Sequence, residues 1–365
     1  MQYAKKGVGM SEYKELLYRL IECRPVTADV SAVNKAENVM REFLEAHGLH
    51  CTMEVIDGRQ TLYASTRPGK VQDVLLNAHL DVVPANHESQ FMPYEKEGWL
   101  YARGAGDCLG NAVCIARFLC ENKDAFRIGA VFTSDEETGG ETTHGMVERG
   151  YGAAKAALVL DHGGDYSITY AQKGILVLKV TARSHGGHSS APWAFINPVD
   201  MLTDAYQQLR KAWVNPISEE DWRNSMAPCV ISGGDAENRI PDTAEMILNF
   251  RYVADEDYQK IIDLVKTTGL EVSVLRTCSP VSNDINAPAL LLLQQAFQGV
   301  LARPVKFTRM CGATDARHLR ALDIPVAIIG TEGTGAHSAE EKLKLDSIDI
   351  CQKILKEYMT LLNSI

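Results

Sequence analysis

Apolar side chains recur at the three- and four-residue spacing of an amphipathic helix near the start of the chain. The positions in this stripe are Tyr13, Leu16, Leu17, Leu20 and Ile21. They predict a first helix, and residues 31–46 predict a second, which Gly48 would end. Strand-like and helical runs then alternate: residues 74–78 (strand), 107–120 (helix), 128–133 (strand) and 156–160 (strand). This alternation predicts an α/β domain with a mostly parallel central sheet.

The pattern changes in the middle of the chain. The segments there are residues 175–182 (strand), 198–213 (helix), 229–232 (strand), 244–252 (strand), 256–268 (helix) and 271–275 (strand). This βαββαβ order is typical of a ferredoxin-like fold. An α/β pattern resumes with a helix at residues 289–301 and a strand at residues 325–329. We therefore expect a discontinuous α/β domain of residues 1–171 and 287–365, interrupted by an inserted ferredoxin-like α+β domain of residues 172–286.

Composition and charge exclude several classes of partner. The chain is 45% hydrophobic and 23% charged, as soluble globular proteins are. Its formal charge of −10 and the lack of a basic stripe argue against nucleic acid, and no apolar run reaches the ~20 residues that span a membrane. The first residues lack the apolar core of a signal peptide, so we expect a cytoplasmic protein. Nine cysteines without a Cys-x-x-Cys argue against a disulfide framework and a thiolate zinc site.

Two polar side chains, His79 and Asp81, follow the apolar run of residues 74–78. Side chains two positions apart on a strand share a face, and open α/β sheets bind ligands at the carboxyl ends of their strands. In one arrangement His79 binds a metal ion while Asp81 accepts a hydrogen bond from the other ring N–H. Taken alone, the pair would also suit a purely structural hydrogen bond.

Other predicted element ends carry similar groups. They are Asp107 before a helix, Asp135, Glu136 and Glu137 after one strand, Asp161 after the next, and His337 in a glycine-rich loop after the last. Singly, an aspartate before a helix is a common N-cap, and a run of acids is commonly a solvated turn. Their coincidence at successive strand ends favours one shared crevice. Neighbouring side chains of an extended segment point in opposite directions, so one glutamate could bind a metal and the other act as a general base.

The donor set of this crevice is two imidazoles and three carboxylates without a thiolate. It suits zinc, manganese or cobalt better than copper or an iron–sulfur cluster. Five ligands exceed what one catalytic zinc ion takes while keeping a position open, so we expect two ions that share one carboxylate. Two ions about 3.5–4 Å apart lower the pKa of a shared water and polarise a carbonyl. The expected chemistry is hydrolysis of an amide or an ester.

Five stretches resemble the dinuclear-zinc amidohydrolase family of aminoacylase, acetylornithine deacetylase, succinyl-diaminopimelate desuccinylase, glutamate carboxypeptidase and peptidase T. They are Asn-Ala-His-Leu-Asp-Val-Val-Pro, Gly-Ala-Gly-Asp, Ser-Asp-Glu-Glu-Thr-Gly, Leu-Val-Leu-Asp and Gly-Ala-His-Ser-Ala-Glu-Glu, in the family's order. The resemblance implies a catalytic α/β domain interrupted by a lid domain that often mediates dimerisation. We therefore expect a homodimer that acts on a small-molecule or short-peptide substrate.

The resemblance also implies a role for each matching residue. The metal ligands would be His79 and Asp161 for one ion, Glu137 and His337 for the other, and Asp107 as the bridge. Asp81 would orient His79. Glu136 would be the general base that takes a proton from the attacking water and gives it to the leaving amine.

In the inserted domain, Ser-His-Gly-Gly-His-Ser-Ser resembles the family segment whose histidine, here His188, stabilises the oxyanion, commonly from the partner subunit. Asn238 and Arg251 match the family's Asn-x-Ile-Pro stretch and its strand arginine, which would bind a substrate carboxylate through a bidentate fork. The alternative for Arg251 is a solvated strand arginine. His185 has no counterpart, and we interpret it as a surface or loop histidine.

Two departures and three hypotheses remain. After Asp107 this chain has Cys108-Leu109-Gly110, where many relatives have a segment that contains a lysine. At the position of Asp161 some subfamilies have glutamate. Aspartate occurs in both aminopeptidase-like and deacetylase members, so this position does not identify the substrate. The first hypothesis is a metal-dependent hydrolase of a dipeptide, a tripeptide or an N-acyl amino acid. The second is a non-catalytic, metal-dependent binding protein of the same fold, which would not need Glu136. The third, phosphoester hydrolysis, lacks the basic cluster that a phosphate substrate requires.

Overall fold

The computed structural model describes residues 10–161 and 164–364. The N-terminal stretch on which the cytoplasmic expectation rests lies outside these residues. Among the residues that are described, no helix is both long enough and apolar enough to cross a membrane.

The helices are α1 (Met10–Glu22), α2 (Val30–Ala46), α3 (Gly110–Asn122), α4 (Glu141–Glu148), α5 (Pro198–Ala212), α6 (Asp257–Lys266), α7 (Pro288–Leu301), α8 (Ala316–Leu319) and α9 (Asp346–Leu362). The strands are β1 (His50–Ile56), β2 (Arg59–Ser65), β3 (Val71–His79), β4 (Tyr94–Lys96), β5 (Trp99–Tyr101), β6 (Ile128–Thr133), β7 (Gly152–Leu160), β8 (Ile168–Gln172), β9 (Gly174–Arg183), β10 (Gly187–His188), β11 (Ser225–Gly233), β12 (Arg239–Ile240), β13 (Thr243–Tyr252), β14 (Glu271–Cys278), β15 (Val281–Ser282), β16 (Phe307–Met310), β17 (Val326–Ile329), β18 (Gly333–Thr334) and β19 (Lys342–Lys344).

The chain forms two compact units. Unit 1 comprises Met1–Tyr170, Asn283–Arg309 and Thr314–Ile365, and unit 2 comprises Ala171–Ser282 and Met310–Ala313. The short segment Met310–Ala313 therefore groups with unit 2, although the sequence pattern places it in the discontinuous domain. Because Lys173 donates its main-chain N–H to the carbonyl of Met310, this segment is tied to the first residues of unit 2.

A mixed sheet forms the centre of unit 1, with the strand order β1-β2-β6-β3-β7-β17-β8. The four middle strands, β6, β3, β7 and β17, are parallel, which confirms the predicted mostly parallel central sheet. The outer strands pair antiparallel. The hairpin of β1 and β2 turns at Asp57 and Gly58, which both have positive φ angles (49° and 79°). This is the backbone that a two-residue hairpin of type I′ requires.

The middle strands are almost continuously apolar because both of their faces are covered. All six residues of β6 are buried, as are the last five residues of β7. The helices α1, α2, α3, α7 and α9 contribute side chains to the same hydrophobic core. A buried parallel sheet of this kind gives a rigid platform for whatever follows its strand ends.

The register of the middle strands brings their carboxyl ends to one edge. His79 pairs with Thr133, Asn77 pairs with Val159, and Leu160 pairs with Ile329. The residues that come directly after these strands must therefore meet at that edge.

Unit 2 contains a four-stranded antiparallel sheet with the order β11-β13-β9-β14. Along the chain its elements run β9, α5, β11, β13, α6 and β14, which is a ferredoxin-like arrangement. Helix α5 packs on β9 and β13, and α6 packs on β14. A separate hydrophobic core, with Leu178, Leu248 and Phe250 fully buried, holds these elements together. Strand β11 lies at one edge, and its residues from Ala227 to Gly233 are exposed.

Candidate metal centre

Five of the predicted site residues lie close together in unit 1. His79 is the last residue of β3, Asp161 follows β7, and Glu137 lies in a short turn after β6. Asp107 comes from the segment between β5 and α3, and His337 from the loop between β18 and β19. A cleft of about 280 Å³ opens over Asp107 and Asp161 and is otherwise lined by Gly106 and residues 333–336.

His79 faces two carboxylates through one ring nitrogen. Its Nε2 lies 3.0 Å from Oδ1 of Asp107 and 3.4 Å from Oδ1 of Asp161. The side chain of His79 is only 1% exposed. One imidazole and two carboxylates therefore converge on one side of the cluster.

His337 makes the equivalent arrangement on the other side. Its Nε2 lies 3.3 Å from Oδ2 of Asp107 and 3.0 Å from Oε2 of Glu137. His337 itself has a positive φ of 62°, and Gly335, two residues before it, has a φ of 75°. The glycine-rich loop thus takes the left-handed backbone that directs this histidine toward Asp107.

The two oxygens of Asp107 therefore face two different histidines, and each histidine also faces a second carboxylate. Around a zinc ion with ligands at about 2.0–2.1 Å, tetrahedral geometry separates neighbouring ligand atoms by about 3.3 Å. The separations above, 3.0–3.4 Å, match that spacing. The donor set and its geometry thus fit a pair of divalent cations that share Asp107.

Asp107 does not cap a helix, contrary to the common role considered above. The predicted helix of residues 107–120 starts only at Gly110, and Asp107 has the non-helical angles φ −129° and ψ 87°. Its peptide bond to Cys108 is cis. The helical pattern of the sequence extends too far because the carboxylate of Asp107 bonds to the two histidines instead of to the main chain of α3.

Asp81 holds His79 in a different way from the predicted one. The ring Nδ1 of His79 lies 2.8 Å from the main-chain carbonyl of Asp81 and 3.5 Å from its carboxylate. The buried carboxylate accepts hydrogen bonds from the hydroxyl of Thr27 and from the main-chain N–H groups of Glu136 and Glu137. Asp81 therefore fixes the turn that carries the two glutamates as well as the strand end that carries His79.

The three consecutive acids have three different environments. Asp135 accepts hydrogen bonds from the main-chain N–H and the hydroxyl of Thr142, at the start of α4. Glu137 faces His337. Glu136 points elsewhere, and its Oε1 lies 3.5 Å from Nη2 of the buried Arg317. Glu137 therefore lies at the cluster, and Glu136 lies beside it.

Burial and neighbouring charges shift the pKa values of the cluster. Burial raises the pKa of Asp161 to about 6 and that of Glu137 to about 7. The hydrogen bond to Asp107 raises the pKa of His337 to about 9. For Asp107 itself, burial opposes ionisation, but hydrogen bonds from His337 and His79 outweigh it and lower its pKa. The pKa of His79 is also raised, so protons on the two imidazoles offset part of the charge of the three carboxylates. Divalent cations would replace these protons on binding.

Burial also raises the pKa of Glu136 well above its ordinary value, and the charge of Asp161 adds to this rise. A carboxylate with a raised pKa binds a proton more strongly, which is a property of a general base. The thiol of Cys108 lies near His79 and Asp161, but it donates to the carbonyl of Leu160 at 2.9 Å. Cys108 therefore has a structural partner, and the five predicted ligands need no thiolate.

The remaining site residues lie in unit 2. His188 ends β10, where it pairs with Arg239 of β12, and its Nδ1 accepts a hydrogen bond from the hydroxyl of Ser190 at 2.8 Å. Asn238 accepts a main-chain hydrogen bond from Ser189, so His188 and Asn238 belong to neighbouring segments. Arg251 lies on β13 opposite Ser225.

Sequence reasoning missed three charged residues that support the cluster. They are Arg317 beside Glu136, and Arg103 and Glu341, which form a buried ion pair. Glu341 belongs to the same stretch as His337, which was the available signal. Nothing in the sequence pairs it with Arg103, because the two residues are 238 positions apart.

Comparisons with known proteins show the family of the chain. The model of peptidase family M20/M25/M40 matches residues 75–361. A curated relative, the probable succinyl-diaminopimelate desuccinylase of Staphylococcus aureus strain N315, is 27% identical over 336 residues, which cover 78% of this chain and 83% of that protein.

Two solved structures share the fold over nearly their whole length. A tripeptidase from Staphylococcus aureus has a TM-score of 0.80 at 17% identity, over 98% of this chain and 100% of that one. A metallo-carboxypeptidase from Sulfolobus solfataricus has a TM-score of 0.81 at 17% identity, over 97% of this chain and 100% of that one. Because the family model spans most of the sequence, the chain belongs to peptidase family M20/M25/M40 and is a hydrolytic enzyme.

Proposed function

We propose that this enzyme hydrolyses an amide bond in a small, carboxylate-bearing substrate: a dipeptide, a tripeptide or an N-acyl amino acid. One observation carries the proposal. The two oxygens of Asp107 face His79 and His337, and each histidine faces a further carboxylate. Such a double site is what two divalent ions with a shared carboxylate require.

The residues that would hold the ions are His79 and Asp161 on one side, His337 and Glu137 on the other, and Asp107 between them. Zinc is the first choice for this donor set, and manganese and cobalt also suit it. When bound, two such ions would polarise the amide carbonyl and lower the pKa of the attacking water.

Glu136 is the general base in this proposal. Its buried carboxyl lies beside the cluster without taking part in it, so it can accept a proton from the attacking water. It then gives that proton to the leaving nitrogen, which departs as a neutral amine. Arg317 contacts both the carbonyl and the carboxylate of Glu136 and holds the base in place.

Two observations support the proposed substrate class. The relatives named above include a desuccinylase, which removes an acyl group, and a tripeptidase, which cleaves a peptide. Both names describe amide bonds in small molecules that carry a carboxylate. In unit 2, Asn238 and Arg251 would bind that carboxylate, and His188 would donate a hydrogen bond to the developing oxyanion.

We also propose that unit 2 is a lid and dimerisation domain. Its edge strand β11 exposes Val230 and Ile231, which are 50% and 63% exposed. An exposed apolar edge strand is a ready template for pairing with a second chain. In a homodimer formed there, His188 would come from the partner subunit, as it commonly does in the family that these residues resemble.

Loss of His79 should remove metal. The variant His79→Ala is expected to bind at least one of the two ions more than about 100-fold more weakly, beyond the loss typical of residues outside the ligand shell. Isothermal titration calorimetry of the metal-free protein would measure the metal affinity, and metal analysis after dialysis would count the bound ions. His185→Ala is the matched control, because His185 is exposed and unit 2 carries it. A variant that keeps two tightly bound ions and full activity would refute the assignment of His79.

Loss of the general base should separate binding from turnover. Glu136→Gln is expected to keep both ions while kcat falls by about 10²- to 10⁴-fold, the usual contribution of a positioned base. Glu148→Gln, at an exposed glutamate of α4, should change neither quantity. Steady-state kinetics together with metal analysis test the role, and wild-type turnover in Glu136→Gln would remove it.

The substrate class can be tested with one panel. Metal-free enzyme reconstituted with zinc, manganese or cobalt should hydrolyse members of a set of dipeptides, tripeptides and N-acyl amino acids, and chelation should abolish the reaction. Turnover of free-amine peptides would make the enzyme a peptidase, and turnover of acylated amino acids alone would make it a deacylase. Two bound ions without any turnover would instead favour the non-catalytic binding protein.

The edge-strand dimer predicts a specific sensitivity. Ile231→Asp places a charge in β11 and should convert the dimer to a monomer in sedimentation velocity, with a loss of activity if the partner supplies His188. Leu275→Asp is the matched control at the opposite edge strand β14, where the residue is 50% exposed. A fully active monomer would contradict the role of His188 in trans.

A further inference from the structure

A buried ion pair lies behind the metal centre and takes no part in the proposed reaction. Nη1 of Arg103 lies 2.6 Å from Oε2 of Glu341, and both side chains are 1% exposed. Desolvation makes such a pair expensive, and apolar residues of similar size are often as stable or more stable. General stability is therefore a poor explanation for its presence, and its contacts suggest another.

The other carboxylate oxygen of Glu341 accepts hydrogen bonds from the segment that contains Asp107, the proposed bridging ligand. Oε1 accepts hydrogen bonds from the main-chain N–H groups of Gly106 and Asp107, both at 3.1 Å. A side chain at Gly106 would have its Cβ 3.2 Å from the carbonyl of Lys342, so glycine allows this close approach. Glu341 thereby fixes the main chain on which the carboxylate of Asp107 is mounted.

Arg103 forms hydrogen bonds to the segment that follows His79 and Asp81. Its Nη2 donates to the carbonyl of Pro84 and to Oδ1 of Asn86, each at 3.3 Å. Its main-chain N–H donates to the carbonyl of Gln90. The side chain of Gln90 in turn donates to the carbonyl of Ser338, next to His337, at 3.0 Å.

Three segments that carry proposed ligands therefore share one buried connection. The first follows His79, the second contains Asp107, and the third contains His337 and, four residues later, Glu341. Neither Asp107 nor His337 lies at the end of a strand of the central sheet, so the sheet alone does not set the distance between them. The ion pair supplies the constraint that the sheet does not.

We propose that Arg103 and Glu341 are positioning residues that hold the carboxylate of Asp107 between His79 and His337 before any metal binds. This inference rests on the proposed two-metal centre. Arg103 neutralises Glu341, so the anchor adds no net negative charge beside the three carboxylates. Its loss leaves Asp107 free to turn toward one histidine, and the ion that depends on the other contact is bound more weakly.

Metal titration of the full-length, chelator-stripped protein tests this directly. With zinc as the probe, the wild type is expected to bind two ions. Glu341→Ala removes both the charge and the acceptor, and one of the two ions should bind about 10- to 100-fold more weakly, as with other residues outside the ligand shell. Glu341→Gln keeps an acceptor oxygen for the two amides but loses the charge, and it should recover part of that affinity.

Two controls separate positioning from a general loss of stability. Asp349→Asn breaks the ion pair of Arg117 and Asp349, also 2.6 Å long and in unit 1 but remote from the cluster, and it should leave both zinc affinities unchanged. Circular dichroism and thermal melting of each metal-free variant show whether it is folded. If Glu341→Ala does not fold, Glu341→Gln and Arg103→Lys carry the test, since Arg103→Lys keeps the charge but loses the fork to Pro84 and Asn86.

The outcomes are distinct. Folded variants that bind two zinc ions with wild-type affinities, even with a lowered melting temperature, would show a merely structural pair and overturn the inference while the two-metal centre stands. A wild-type protein that binds no zinc, manganese or cobalt would overturn the centre itself and this inference with it. Weakening confined to one ion in Glu341→Ala, with partial recovery in Glu341→Gln, supports the positioning role.

Discussion

Mutual repulsion among carboxylates is the constraint on which the rest of this structure depends. Asp107, Glu137 and Asp161 approach one another in a partly buried site where water screens their charges poorly. Such a cluster stays together only if positive charge is placed among its members. In the described residues that charge lies on His79 and His337, and two divalent cations would supply it in greater amount. The fold must therefore hold these side chains close together, and the proposed function also requires room for cations.

The parallel sheet meets half of this requirement. Adjacent strands end in register, so His79, Asp161 and the Glu136–Glu137 turn meet at one edge as a direct result of strand pairing. Main-chain hydrogen bonds set their positions within a sheet that is buried on both faces. The other half, Asp107 and His337, comes from loops, where no such ladder operates. Asp107 and His337 therefore need other contacts to fix their positions, and buried hydrogen bonds and ion pairs can provide them.

The same distinction explains how much the sequence could predict. The strand of residues 128–133 is predicted with its observed limits, and His79 and Asp161 follow from hydrophobic runs that end in polar residues. These features depend on local pattern. The predicted start of α3 at residue 107 was wrong, because Asp107 has non-helical backbone angles and the helix begins only at Gly110. The hydrophobic pattern of a sequence shows the period of a helix or strand, but it does not show tertiary contacts that compete with that structure.

Long-range polar partners were beyond the reach of the sequence for a related reason. Arg103 and Glu341 resemble ordinary charged surface residues when read singly, and only the folded chain shows them buried together. Arg317 is similar: its stretch, Thr-Asp-Ala-Arg-His, has no metal-like spacing, yet its guanidinium reaches the proposed base. Charge pairing of this sort leaves no periodic trace. The proposed chemistry rests on the residue types of the expected ligands, whereas the pairing of the residues that contact those ligands gave no signal in the sequence.

The proposed roles of Glu136 and Glu137 illustrate the point most clearly, because the two residues are chemically identical neighbours. Nothing in their side chains decides which would bind a metal ion and which would move a proton in the proposed reaction. The main chain causes the difference. The amides of both residues donate to the carboxylate of Asp81, and this fixes a turn in which the two side chains point in different directions. Glu137 then meets His337, and Glu136 meets Arg317. The main-chain carbonyl of Asp81 thus contacts the ring of His79, while its carboxylate separates the two glutamates for which we propose different roles.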